Sequence, residues 1–433
     1  MRIAIASLGS RGDVQPMAAL AATLARRGHQ VRLITPRGCD ALGDEAGVDR
    51  RVVDVDVRQE LASVEGRRLL HSGRNTVAGL RALRAIGRRH GTRPWFELAE
   101  HTEGAELLVC ETTSLPPMEA IAERRGLPCI GVAMQPRVPT RAFPHPFAPP
   151  PRIRMPGWAN RLHHRLIDQT LWQCVRSLVN EGRRDALGLP PWPFFGPYAR
   201  LRDSSHPWLL PFSRHLFPRP PDWPPQIEVT GYWFFDRPNA WQPSAELLRF
   251  LEAGPPPVYI GFGSMVFADP AATAALMLAA VAEAGCRAVL AAGWGGLAPA
   301  TLPPNVFALE EAPHDWLFPR MAAVVHHGGA GTTAAALRAG VPSVIVPFMG
   351  DQFFWAQILG ANGVAPEAVP YAGLGVPDLA RAMTMALDDP AMRRRAAALG
   401  VLIREEDGLG RAAARIEALS PVRYTASWSP SRS

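Results

Sequence analysis

Apolar residues in this chain gather in short runs, and between the runs they recur every three or four positions. Residues 2–8 form a continuous strand-like run, 14–27 carry a helical period that stops near Gly28, and QVRLIT at 30–35 is again strand-like. A strand, a crossover helix and a second strand open a parallel α/β sheet. LLVCE at 107–111 and CIGVAM at 129–134 continue the series, each behind a helical stretch. A second series begins after a proline-rich passage: PVYIGFGS at 257–264, a helix over 270–284, CRAVLAAG at 286–293, VFAL at 306–309, AAVVHH at 322–327 and SVIVPF at 343–348. Two series predict two doubly wound domains, at 1–240 and 241–420, with the last helix crossing back to the first and a disordered polar tail over 421–433.

The passage from 135 to 236 breaks the rhythm. It is rich in proline and places tryptophan at 158, 172, 192, 208, 223 and 233, with Trp241 just beyond, around one clear helical run, RLIDQTLWQCVRSLVNEGRRDAL. Proline removes ladder donors, so regular sheet throughout is excluded. The aromatic surplus fits an apolar cleft or an interfacial surface, with irregular packing as the plainer account.

Composition narrows the class. Hydrophobic residues make up 47% of the 433 and charges are dispersed, which excludes a disordered chain. No apolar run approaches the roughly 20 residues of a membrane span, and Met1 leads straight into IAIAS with no export signal, so a cytoplasmic protein is expected. Cys39, Cys110, Cys129, Cys174 and Cys286 show neither CxxC nor ligand spacing, which argues against a structural metal or a disulfide framework. Arginine accounts for most of the net charge of +7 and is dense in RNTVAGLRALRAIGRRHGTR at 74–93. A solvated face, peripheral contact with an anionic membrane, or nucleic acid could each use that stretch. No zinc-finger, KH or RNP pattern supports nucleic acid.

The candidate chemistry sits at strand ends. In HHGGAGTT, glycines 328, 329 and 331 let backbone approach a ligand, and Thr332 and Thr333 lie where a helix start leaves N–H groups unpaired. A diphosphate is the natural guest, with His327 as a further donor. No GK[ST] follows and GxGxxG order is absent, so neither a Walker nor a dinucleotide site is indicated. The turn GFGSM, with Gly263 and Ser264, ends the first strand of the same half and converges on the same crevice. Asp351 and Gln352 follow SVIVPF on that edge, where a carboxylate and an amide can hold vicinal hydroxyls; a helix cap is the plainer reading of the pair. In the first half SLGSRGDVQP resembles a second phosphate cradle through Ser10, Arg11 and Gly12. It also puts Asp13 at a helix start, where the dipole and Arg11 favour the ionised carboxylate, a weak base unless water is excluded. No paired carboxylates in a DxD order accompany the donor strands.

Together these motifs resemble the UDP-dependent glycosyltransferases of GT-B fold, and most closely the sterol 3-beta-glucosyltransferase-like branch. GSRGDVQP at 9–16, TRAFPHPF at 140–147, LWQCVRSLVNEGRRDALGLP at 171–190, DWPPQIEVTGYWF at 222–234 and the run from APHDWLFP to MGDQFFWAQ carry the likeness, over most of residues 1–395. The resemblance implies Asp13 as general base, His327 with Ser264 and Thr332 on the donor diphosphate, backbone near Ala312 and His314 beside the uracil, and Asp351 and Gln352 on the sugar. It places Met134, Arg141, Phe143, His145, Trp172 and Trp233 on the acceptor side, and His326 as an orienting neighbour. Where plant small-molecule relatives carry a glutamate for the ribose, this chain has Ala335. The implied activity is inverting, metal-independent transfer of glucose from UDP-glucose to a sterol or sterol-like apolar alcohol by a monomer or weak homodimer, with no bound cofactor. The alternative is tailoring of a secondary metabolite, with a nucleotide-deoxysugar as donor.

Overall fold

A computed structural model of the protein describes residues 1–39, 47–73, 75–148, 155–196, 207–236, 241–294, 296 and 301–419. The expected tail at 421–433 and the expected domain boundary at 240 fall outside these residues.

The first half runs β1 (Arg2–Ala6), α1 (Arg11–Arg26), β2 (Gln30–Arg37), β3 (Val48–Asp56), α2 (Val57–Ala62), α3 (Val64–Leu70), α4 (Thr76–His90), α5 (Arg93–His101), β4 (Leu107–Glu111), α6 (Leu115–Arg125), β5 (Cys129–Val132), α7 (Gly157–Leu187), β6 (Trp208–Leu210) and β7 (Ile227–Val229). Its seven strands are parallel, in the order β3-β2-β1-β4-β5-β6-β7. The proline-rich middle therefore contributes two short strands, placed where proline is absent from the ladder.

The second half runs α8 (Ala245–Glu252), β8 (Val258–Ile260), α9 (Pro270–Glu283), β9 (Ala288–Ala291), β10 (Val306–Leu309), α10 (His314–Leu317), β11 (Ala323–His326), α11 (Ala330–Ala339), β12 (Ser343–Ile345), α12 (Gln352–Ala361), α13 (Val376–Asp388), α14 (Pro390–Arg404) and α15 (Gly408–Glu417). Its five parallel strands are ordered β10-β9-β8-β11-β12.

Alternation within each strand builds two covered faces, as a buried parallel sheet requires. Ile3 and Ile5 enter one core with α1, while Ala4 and Ala6 enter the opposite core with Leu108, Cys110 and α6. In the second sheet Val258 and Ile260 face α9 and α13, and Tyr259 faces Phe318 and Val324. Ala412, Ala413 and Ile416 of α15 pack in the core of the first sheet, and Glu417 pairs with Arg27 and His29. A further core joins the halves, with Phe212 and Trp223 from the first packed among Ile345, Phe354, Trp355 and Leu359 from the second.

In both sheets the strand order reverses beside the first strand of its half, at β1/β4 and at β8/β11. Open α/β sheets bind ligands outside the carboxyl ends of their strands at such a point. The two reversal points open onto one cleft of about 1880 Å³.

Candidate active site

Asp13 is the third residue of α1, and its Oδ2 accepts from the backbone N–H of Ser10 at 2.9 Å and from Ser10 Oγ at 3.1 Å. Gly9 makes that geometry possible: a Cβ there would stand 2.4 Å from Asp13 Oδ2. Across the reversal point β4 ends in Glu111, buried, whose carboxylate accepts from the Thr113 N–H at 2.9 Å and Thr113 Oγ1 at 2.6 Å. Burial and the nearby Glu111 charge raise Asp13 to about 7, against the lowering effect of Ser10. The expected ionised, weakly basic carboxylate is thus corrected. Arg11 does not offset the burial, because its guanidinium crosses the cleft to Glu311. Ser10 and Arg11, expected as donor ligands, line the cleft with Gly12 but are engaged with Asp13 and Glu311.

On the opposite sheet β11 delivers two buried histidines. His326 Nδ1 accepts from the Gly328 N–H at 3.1 Å, within the turn. His327 lines the cleft, and its Nδ1 has no hydrogen-bond partner among the described residues. Burial, with the neighbouring His314, lowers His327 to about 4, so the neutral ring offers one N–H. A Cβ at position 329 would stand 2.3 Å from His327 Nε2, so glycine is what admits the ring. Gly329, Gly331 and Thr332 line the cleft at the start of α11, which has no side-chain cap. The N–H groups and dipole of an uncapped helix start favour an anion. Gly328 lies beneath it, at φ 88°, against Ile345 and the Gln352 carbonyl, and does not line the cleft. Gly263, Ser264, Ala312 and His314 complete that wall, His314 stacked on Phe318 with centroids 4.2 Å apart.

Asp351 and Gln352 both line the cleft, but their bonding differs from a plain hydroxyl clamp. Asp351 makes no helix-capping bond; its Oδ2 accepts from Gln135 Nε2 at 2.9 Å, across the cleft from the end of β5. Burial raises Asp351 to about 6 although Gln135 opposes it. Gln352 Oε1 accepts from the N–H groups of Phe348 and Met349 at 2.7 and 3.2 Å, and its Nε2 donates to Met265 Sδ at 3.5 Å, which leaves the second N–H of the amide to face a ligand. The acceptor role expected of its oxygen is therefore taken by its own loop.

Of the six expected acceptor residues, Met134 and Trp233 line the cleft. The other four do not. Arg141 is exposed, with its backbone N–H on Asp222. Phe143 packs on Phe217, His145 is buried with Nε2 3.6 Å from Asp168, and Trp172 packs on Trp192 with Nε1 bonded to Phe194 O. The apolar end of the cleft is built instead from Leu61, Leu69, Leu80 and Ile86 of α2–α4 and from Leu171 and Val175 of α7. Cys110, Glu119 and Cys129 converge in the first core, but none of them lines the cleft.

Residues 3–131 match the glycosyltransferase family 28 N-terminal domain, and 276–406 match the C-terminal domain of the erythromycin biosynthesis protein CIII-like family. Two sterol 3-beta-glucosyltransferases of Arabidopsis thaliana are 37% and 35% identical, over 95% and 94% of this chain and 67% and 64% of their own. The chain belongs to the sterol 3-beta-glucosyltransferase-like branch of the UDP-dependent glycosyltransferases. It spans about two thirds of the length of those plant relatives. The O-mycaminosyltylonolide 6-deoxyallosyltransferase of Streptomyces fradiae is also 37% identical, over 98% of this glycosyltransferase and 99% of its own length. The GT-B fold is shared with the glycosyltransferase of kitacinnamycin at a TM-score of 0.65 and 20% identity, over 96% of this chain and 98% of that one. A glycosyltransferase of this family works on a nucleotide-sugar, and the uncapped α11 start with His327 is suited to a diphosphate.

Glu111, Gln135 and Gly9 are site residues that sequence reasoning missed. Each stands at or just beyond a strand end; the pairing of β1 with β4 brings Glu111 to Asp13, and the packing of the two halves brings Gln135 to Asp351.

Proposed function

We propose that the protein transfers glucose from UDP-glucose, with inversion and without a metal, to the hydroxyl of a sterol or sterol-like polycyclic alcohol. The observation that supports this reading is that Asp13, the apolar wall and the uncapped start of α11 line one cleft. The acceptor oxygen attacks the anomeric carbon from the face opposite the diphosphate, and a new C–O bond forms as the bond to the phosphate oxygen breaks. Asp13 takes the hydroxyl proton, Ser10 holding Oδ2 so that Oδ1 is free for it. The His327 N–H and the α11 N–H groups stabilise the departing diphosphate. Asp351 and the Gln352 NH₂ hold the sugar, and Ala312 and His314 flank the uracil.

Transfer of radiolabel from UDP-glucose to cholesterol, ergosterol and other polycyclic alcohols, with EDTA present and Asp13→Asn as control, tests this reading. The expected result is a labelled lipid product that survives EDTA and is lost in the variant. Collapse of turnover in EDTA, or near-normal kcat in folded D13N, overturns the mechanism. Robust transfer only from a TDP-deoxysugar moves the protein to secondary-metabolite tailoring.

A further inference from the structure

The first half of α7 is folded with its polar face inward. Asn160, His164 and Asp168, spaced four apart, are the buried residues; Asn160 Nδ2 donates to the Arg141 carbonyl and His164 Nε2 is bonded to the Phe143 carbonyl. The apolar residues at the same spacing point outward: Trp158 is 68% exposed, Leu162 47% and Leu166 57%. A helix that packs by its polar side has not used its apolar stripe for folding, so the stripe calls for another partner.

The stripe continues beyond the helix. Gln169 and Gln173 Nε2 donate to the Phe194 carbonyl at 3.0 and 2.6 Å, fixing the turn that carries Phe194 and Phe195, and Phe195 is 78% exposed. Arg176 lies over the Phe194 ring, 5.4 Å from its centre. Arg161 and Arg165 are exposed on the same side of α7, and residues 157–167, GWANRLHHRLI, contain no acid.

We propose that this face, Trp158, Leu162 and Leu166 with Phe194, Phe195 and the flanking arginines, is a docking surface for an anionic lipid bilayer. Tryptophan, phenylalanine and leucine beside arginine, on a helix that lies along the surface, are what a headgroup boundary accepts. The charge favours lipid phosphate over a second copy of the chain, because a twofold contact through this face would set Arg161 and Arg165 against their own symmetry mates. The stretch at 74–93 is less suited: Arg89 is paired with Glu60 and Glu65, and Leu80 and Ile86 face the cleft.

A step of five positions, about 7.5 Å of helix, leads from Leu166 to Leu171, where α7 becomes a wall of the cleft. Docking here brings the apolar end of the cleft beside the bilayer; that consequence rests on the apolar-acceptor reading, whereas the docking itself does not.

Vesicles of phosphatidylcholine, with and without phosphatidylglycerol, are sedimented with the full chain at low and moderate salt. Wild type is expected on the anionic vesicles, with Arg161→Gln/Arg165→Gln reducing partition roughly tenfold or more and Trp158→Ser/Leu166→Ser abolishing it. Arg393→Gln/Arg394→Gln, which removes the same charge from exposed positions of α14, is expected to bind as wild type. Sugar transfer to a detergent-dispersed acceptor is expected to be unchanged in every variant, which shows that they fold. Absence of wild-type binding at low salt overturns the proposal, as does equal loss in both arginine pairs. A dimer that dissociates in W158S/L166S while vesicle binding persists assigns the face to a second copy instead. Failure of all transfer leaves the vesicle result standing and counts only against the acceptor reading.

Discussion

Gln135, just beyond β5 of the first sheet, donates through Nε2 to Asp351 Oδ2 in the second half at 2.9 Å. The bond ties the acceptor-side sheet to the residue assigned to the sugar, alongside the Arg11 to Glu311 pair and the Gly73 to Met349 bridge. Gln135→Leu removes a donor that holds Asp351 down, so the carboxylate keeps its proton further toward neutral pH. A rise of roughly fivefold to tenfold in KM for UDP-glucose is expected, the scale of one hydrogen bond to a charged group, with binding of UDP itself unchanged. An unaltered KM would separate Asp351 from the sugar.

Asp13 has to be ionised to accept a proton, and it titrates near 7 because of burial and Glu111. The acidic limb of kcat/KM is therefore expected near that pH. Glu111→Gln removes the negative charge that raises Asp13 and shifts the limb to lower pH; a limb that stays in place excludes Glu111 as the tuning residue. At high pH, Asp13→Asn lowers kcat by about 10²–10⁴.

The same raised value affects stability. Asp13 keeps its proton in the folded chain up to about 7 but loses it near 3.8 when unfolded. Between those values the folded state binds more protons, so wild type loses stability as pH rises and then levels off. The amide introduced by Asp13→Asn does not titrate and has no such dependence. Thermal melts should show D13N gaining on wild type from pH 4 to pH 7 with a constant advantage above it; parallel melting curves across that range count against the buried carboxylate.

Glycines 329 and 331 give a contrasting pair. Gly329→Ala drives a methyl into His327, so UDP affinity should fall roughly tenfold with modest loss of stability. Gly331→Ala meets nothing within 4 Å and removes a flexible residue from α11. Its melting temperature should hold or rise, and any loss of UDP binding then reports direct contact of the ligand with that position. Isothermal titration with UDP beside a melt of each variant reads both.

Much of the frame was legible because it is local. Runs such as LLVCE and VFAL coincide with β4 and β10, and HHGGAGTT declares a strand end, a glycine turn and a helix start within eight residues. The tryptophan-rich middle divides between two uses. Aromatic surplus does not say which surface it covers: Trp172, Trp192 and Trp223 pack in cores, while Trp233, Phe234, Phe235 and Trp241 line the cleft beside leucine, isoleucine and valine from the helices. TRAFPHPF divides in the same way: Phe147 lines the cleft and Arg141, Phe143 and His145 do not, since a motif fixes residue types and not the side on which they face.

The sequence by itself determined the two α/β series, the glycine turn before α11 and the place of Asp13 at a helix start, because strand periodicity and glycine turns are written within a few residues. Only the tertiary structure decided the charge state of Asp13 and the partners of Asp351 and Gln352. It also decided which face of α7 is left to solvent. Those properties depend on burial and on groups that the fold brings together, Glu111 beside Asp13 through the pairing of β1 with β4 and Gln135 against Asp351, 216 residues on, through the packing of the two halves, and such separations carry no local signal.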